Sequence, residues 1–140
     1  MDKFSYIPED LRPDETLHTD HAQCFRAIKD QTITKEDFFP TFHEKRMQKA
    51  MNKVESVKVC FKQSDYSVSL FNTIDKIKKI YDVSPIFRKK YNWVAKGFTS
   101  RSRGISYAAS KNGHIDYFLY DFEGNNPYQD FELIQEINNE

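Results

Sequence analysis

Cysteine is scarce in this chain. Its two cysteines, Cys24 and Cys60, are too few for a disulfide framework. No apolar run is long enough to cross a bilayer, which excludes a spanning helix. The start shows no basic stretch followed by an apolar run and a small-residue cleavage site, so no secretory leader is expected. Together these point to a reduced, cytoplasmic setting without membrane contact. Only four glycines are present, all isolated, so neither a Walker loop nor a G-x-G-x-x-G phosphate cradle exists. Net charge is also lacking, with 21 acids against 21 Lys and Arg. That balance weakens long-range attraction to a polyanion.

What is present is a globular mixture, 39% hydrophobic and 15% aromatic, dominated by Phe and Tyr. A length of 140 residues fits one domain, 1–140, with enough chain to bury a core. Residues 1–16 hold Pro8 and Pro13 and no period. They read as an irregular arm whose "FSYI" packs on the body.

The charges are segregated. Residues 76–103 carry nine cations against the single acid Asp82, while 114–140 carry seven acids and no Lys or Arg. Segregation of this kind marks candidate interaction surfaces.

Alternation in "AQCFRAIK" predicts a strand, with Phe25 and Ala27 on one face and Cys24, Arg26 and Ile28 on the other. A short helix competes for that segment. Thr34 and Asp37 form a T-x-x-D helix start that Pro40 ends. Thr41 and Glu44 form a second start. Met47, Ala50, Met51 and Val54 behind it fall at helical spacing. "SVKVCFK" and "YSVSLF" alternate as strands. Asn72 is placed to cap a helix with Ile74, Ile77 and Ile80 or Tyr81 on its core side, and Ser84-Pro85 opens another. "NWVAKGF" reads as a strand.

"GISYAASKNGHIDYFLYDF" reads as a hairpin. Its Asn112-Gly113 suits a type I′ turn that sets Ala108 opposite Tyr117 and Tyr107 opposite Phe118. The segment 114–122 is apolar on both faces, as an inner strand is. "FELIQEI" is left as helix or last strand. The fold class expected is α+β, a mostly antiparallel sheet of four to six strands with two or three helices packed against it.

Chemistry is thin. His18, His21 and Cys24 stand at three-residue steps. On a helix the first and last lie about 120° and 9 Å apart, so one ion cannot take all three. No second ligand pair exists, and His43, Cys60 and His114 are scattered. His18 and His21 remain the only metal candidates, and no cofactor is expected. Cys24 reads as a small buried hydrophobe. His114 and Asp116 share a strand face and form the candidate acid–base pair should the protein be an enzyme.

Arg26, a charge inside an apolar strand, requires a partner, either a salt bridge or a bound anion. Arg88, Lys89, Lys90, Arg101 and Arg103, interleaved with Tyr81, Phe87, Tyr91, Trp93 and Phe98, form a candidate basic surface for phosphates or acidic protein. An early-strand arginine followed by a Ser67-x-Ser69 strand resembles the layout of ADP-ribosyltransferase-like folds over a short part of the chain. No motif match accompanies the likeness, and no family is claimed from it.

The leading expectation is therefore a non-enzymatic binding protein that meets a protein partner of complementary charge. The acidic tail, with Tyr117, Tyr120, Tyr128 and Phe131, would suit a basic one. The alternatives are a small enzyme acting on a nucleotide-like substrate of the ADP-ribose or NAD type, a nucleic-acid-binding module, and a structural subunit of a larger assembly.

Overall fold

The alternation around Arg26 sets the centre of the architecture. In the computed structural model, which describes residues 3–43 and 61–138, Cys24–Ile28 forms strand β1. Its odd and even residues serve two separate cores. Cys24 and Ile28 join the larger cluster, and Phe25 and Ala27 join the smaller. A strand buried on both faces belongs inside a sheet. Accordingly β1 lies between β2 (Val68–Phe71) and β3 (Trp93–Gly97).

The sheet is completed by β4 (Gly104–Ser106), β5 (His114–Leu119) and β6 (Phe131–Glu136), in the order β4-β5-β2-β1-β3-β6. Every pairing is antiparallel. The fold is thus α+β. Both segments that left strand and helix open, around 22–29 and 130–137, are strands.

Helix α1 (Ile74–Val83) and the short α2 (Pro85–Lys90) cover the smaller cluster, with Ile77 fully buried and Ile74, Tyr81, Phe87 and Tyr91 packed round it. The helix start differs from the sequence reading. Thr73, not Asn72, occupies the N-cap. The Asn72 amide instead donates to the Gly113 carbonyl, which ties the head of α1 to the β5 turn. The Ser84-Pro85 start holds, since Ser84 Oγ accepts from the Phe87 amide at 3.2 Å.

The larger cluster is closed by the N-terminal arm. Phe4 and Ile7 are buried in it, and such burial contributes about 1.5–3 kcal/mol per side chain. Tyr6 donates its hydroxyl to the Leu119 carbonyl at 2.5 Å. Its ring stacks on Phe42 and meets Tyr66 and Phe122. Burial, with Asp121 adding to it, raises the Tyr6 hydroxyl well above the usual phenol range. Phe39 and Phe61 extend this ring cluster. The amphipathic helix expected from Met47 to Val54, the Glu44 end of its start signal, and Ser56 to Cys60 of the "SVKVCFK" strand lie outside the described residues.

The hairpin departs from expectation by two residues. Ser106, not Ala108, faces Tyr117, and Ile105, not Tyr107, faces Phe118. Gly113 alone takes a positive φ, of 77°, while Asn112 does not, so the turn is not type I′. The Gly113 amide donates to the Ser110 carbonyl, and the Ser110 amide donates to the His114 carbonyl. One left-handed residue after an ordinary turn needs a longer loop than two left-handed residues do, and that moves the register. Ala108 and Ala109 consequently lie in the loop and not on a strand. Among the described residues no helix is long and apolar enough to cross a membrane.

Candidate functional site

Arg26 projects from the middle of β1 on the face of Cys24 and Ile28. Strands β1 and β2 share a single registered pair, Phe25 opposite Phe71. Arg26 adds a further link, because its Nη1 donates to the Ser69 carbonyl at 2.7 Å. On the other side Nε and Nη2 both donate to the Asp37 carbonyl, at 3.1 and 2.9 Å. That oxygen is presented by the 3-10 turn Lys35–Phe38, the T-x-x-D segment of the sequence. There the Asp37 carboxylate accepts from the Thr34 amide at 2.7 Å. The Phe38 ring lies 6.0 Å from the guanidinium.

The charge that required a partner thus meets main-chain oxygens, with no carboxylate hydrogen-bonded to it among the described residues. Loss of water pulls the Arg26 guanidinium below its usual range, and Tyr91 and Asp37 act in the opposite direction.

A cleft of about 240 Å³ opens on this arginine, lined by Lys29, Glu36, Asp37, Phe39, Pro40, His43 and Tyr91 besides Arg26 itself. Lys90 stands close enough that, after burial, repulsion from Lys29 and Arg26 lowers its ammonium below the usual range. Sequence reasoning found Arg26 and missed Lys29, while His43 stood as a scattered single and Tyr91 was assigned to the basic stretch. The only local signal was that Lys29 follows the strand, and the Ile28–Trp93 pairing brings it beside the end of α2.

The other candidates are dispersed. His18 and His21 hold the segment 18–21 against the edge strand β4 and the residue after it. His18 Nδ1 accepts from the Ser106 amide at 3.0 Å, which leaves Nε2 to carry the proton and donate to Asp20 at 2.6 Å. His21 Nε2 donates to the Tyr107 carbonyl at 2.8 Å. A hydroxyl chain runs beneath them. The His21 amide donates to Thr99 Oγ1, which bonds Ser106 Oγ, which donates to the Thr19 carbonyl. The Thr19 amide in turn donates to the Ser106 carbonyl, so this segment covers a strand edge that would otherwise be open.

Replacing His18 with phenylalanine is expected to cost about 1–3 kcal/mol, because the Ser106 amide loses its acceptor. Urea unfolding and faster hydrogen exchange at Ser106 would show it. Unchanged values would mean that water serves as well. Cys24 is buried, and burial pushes its thiol up to about 12. Among the described residues no group of three His, Cys, Asp or Glu side chains is placed to hold a metal ion.

His114 and Asp116 do share a face, with Nδ1 and Oδ1 3.7 Å apart. Asp116 Oδ1 accepts from Ser67 Oγ at 2.8 Å. The order is Ser–Asp–His, with the acid in the middle. A nucleophilic triad needs the imidazole there. Ser67 is fully buried, so its hydroxyl does not face a substrate, and the Ser69 main-chain oxygen accepts from Arg26.

The basic stretch is divided in two. Strand β3, about 16 Å long at five residues, separates Arg88, Lys89 and Lys90 from Arg101 and Arg103. Arg103 is bound internally, with Nε 2.5 Å and Nη2 3.3 Å from the Asp130 carboxylate. Here an acid of the tail neutralises one cation of the stretch within the fold. Tyr81, Phe87 and Tyr91 pack under α1 and α2, and of the stretch's aromatics Phe98 is strongly exposed. In the tail, Tyr117 and Phe131 are core residues. No family model, curated protein or solved structure matches this chain.

Proposed function

We propose that this protein is a binding module that docks an acidic protein partner at the corner where α1 meets α2. The observation that carries the reading is the exposure of Val83 and Ile86, 79% and 80%, three residues apart at that corner. Large apolar side chains left this open among charged neighbours suit a protein contact. Lys79 and Lys89 are exposed on the adjoining turns and supply the positive rim.

The corner is cross-braced by a side chain. Arg88 Nη1 donates to the Tyr81 and Asp82 carbonyls at 2.8 and 2.9 Å, satisfying the open end of α1. Arg88 therefore shapes the surface, and Lys89 meets the partner. A preformed surface loses little entropy on binding. An acidic partner follows from the cations that flank the apolar pair.

The test places a photoreactive residue at the exposed Asp82 beside Val83, cross-links in native cells, and maps the linked peptide on the captured protein. The reading expects one partner, linked at an acidic segment with apolar residues. It also expects at least tenfold weaker binding when Ile86→Asp and Lys89→Glu are combined. A complex that survives the double substitution, or a linked surface rich in lysine or made of nucleic acid, would overturn it.

A further inference from the structure

We infer that the Arg26 cleft is a binding site for a small phosphomonoester. The inference is independent of the helical corner and rests on the geometry of the cleft.

A guanidinium has five N–H donors. In Arg26 the three described hydrogen bonds use one hydrogen each on Nε, Nη1 and Nη2. Two remain, one on each terminal nitrogen. A pair of that kind is the fork that binds an oxyanion at two oxygens. The rest of the group is clamped between the carbonyls of Asp37 and Ser69, so the fork is held before any ligand arrives. Little side-chain entropy is left to lose on binding.

Charge favours a phosphoryl group over a carboxylate. Arg26 and Lys29 line the cleft. A phosphomonoester carries about −1.5 to −2 charges at neutral pH and has three acceptor oxygens. It answers two cations where a carboxylate answers one. Two acids also line the cleft, and they differ. Asp37 Oδ2 accepts from the Thr34 amide and hydroxyl, at 2.7 and 3.2 Å, which holds that carboxylate to its own turn. Glu36 is exposed, so its carboxylate can turn to water when an anion enters.

The remaining walls are Phe39, Pro40, His43 and Tyr91, apolar or aromatic surfaces that suit a ring carried by the phosphate. A volume near 240 Å³ limits the ligand to a small ester.

The test is isothermal titration of the intact protein with phenyl phosphate and, separately, with inorganic phosphate. Arg26 is also structural, so the deciding variant is Lys29→Glu, an exposed position whose fold is checked by circular dichroism. Saturable binding is expected, tighter for phenyl phosphate than for phosphate. Lys29→Glu should weaken it at least tenfold, and Glu36→Gln should tighten it. Equal affinity for the two probes would overturn the role of the aromatic walls. Absence of saturable binding, or binding indifferent to Lys29→Glu, would overturn the site.

Discussion

Replacing Arg26 with alanine is expected to lower the unfolding free energy by about 2–4 kcal/mol. The substitution strips the Asp37 carbonyl of two donors and the Ser69 carbonyl of one. Hydrogen bonds to a charged group contribute about 1.5–3 kcal/mol each, but the cost of holding the cation away from water disappears with it. The losses therefore do not add in full. The substitution also removes the link between β1 and β2 beyond their single registered pair, and the anchor of the Lys35–Phe38 turn. The urea midpoint should fall by about 1–2 M at a slope near 2 kcal/mol/M. Arg26→Lys should recover less than half of the loss, since an ammonium lacks the planar fork that reaches both carbonyls. A midpoint equal to that of the unaltered protein would show that water satisfies the two oxygens.

Replacing Gly104 with alanine should be as damaging, for a steric reason. The added Cβ would run into the Phe118 carbonyl oxygen and lie 2.9 Å from Leu119 Cα. Both are main-chain atoms of β5, so relief requires β4 to move away from it. Strand β4 has only three residues, and Ile105 and Ser106 in it are fully buried. Ser106 is also where the His18 segment is fastened. Overpacking of this kind costs about 3 kcal/mol when no side chain can yield. Thermal unfolding should fall by about 10 °C for a domain of this size. Hydrogen exchange should quicken at the Tyr107 and Tyr120 amides, which donate to Asp116 and Arg103 across the β4–β5 region. An unchanged melting temperature would contradict the close approach.

Much of the frame was legible in local pattern. Cys24, Phe25, Ala27 and Ile28 alternate in sequence, and their side chains divide between two cores as alternation requires. The two-faced apolarity of 114–122 marked an inner strand, and β5 lies between β4 and β2. Thr34–Asp37 and Ser84-Pro85 marked their turns because capping is settled within four residues. The hairpin register was not legible. It depended on whether Asn112 takes a left-handed conformation, and the chain chose a longer loop with Gly113 alone there.

The candidate site was legible only as a problem. A cation in an apolar strand had to meet something, but the sequence held no trace of what. Its partners are the Asp37 and Ser69 carbonyls, 11 and 43 residues away. His18 reaches Ser106 across 88 residues, and Arg103 reaches Asp130 across 27. Main-chain amides and carbonyls are present at every residue and leave no mark in composition or spacing.

By itself the sequence determined the class, most strand positions and the face from which each side chain leaves. Those follow from backbone geometry repeated every two or 3.6 residues. Only the tertiary structure decided that Arg26 and Lys29 share a cleft, that His18 fastens a strand edge, and that β3 parts the basic stretch. Each of these depends on strand order, which is fixed by many weak contacts between distant segments and by no single stretch of chain.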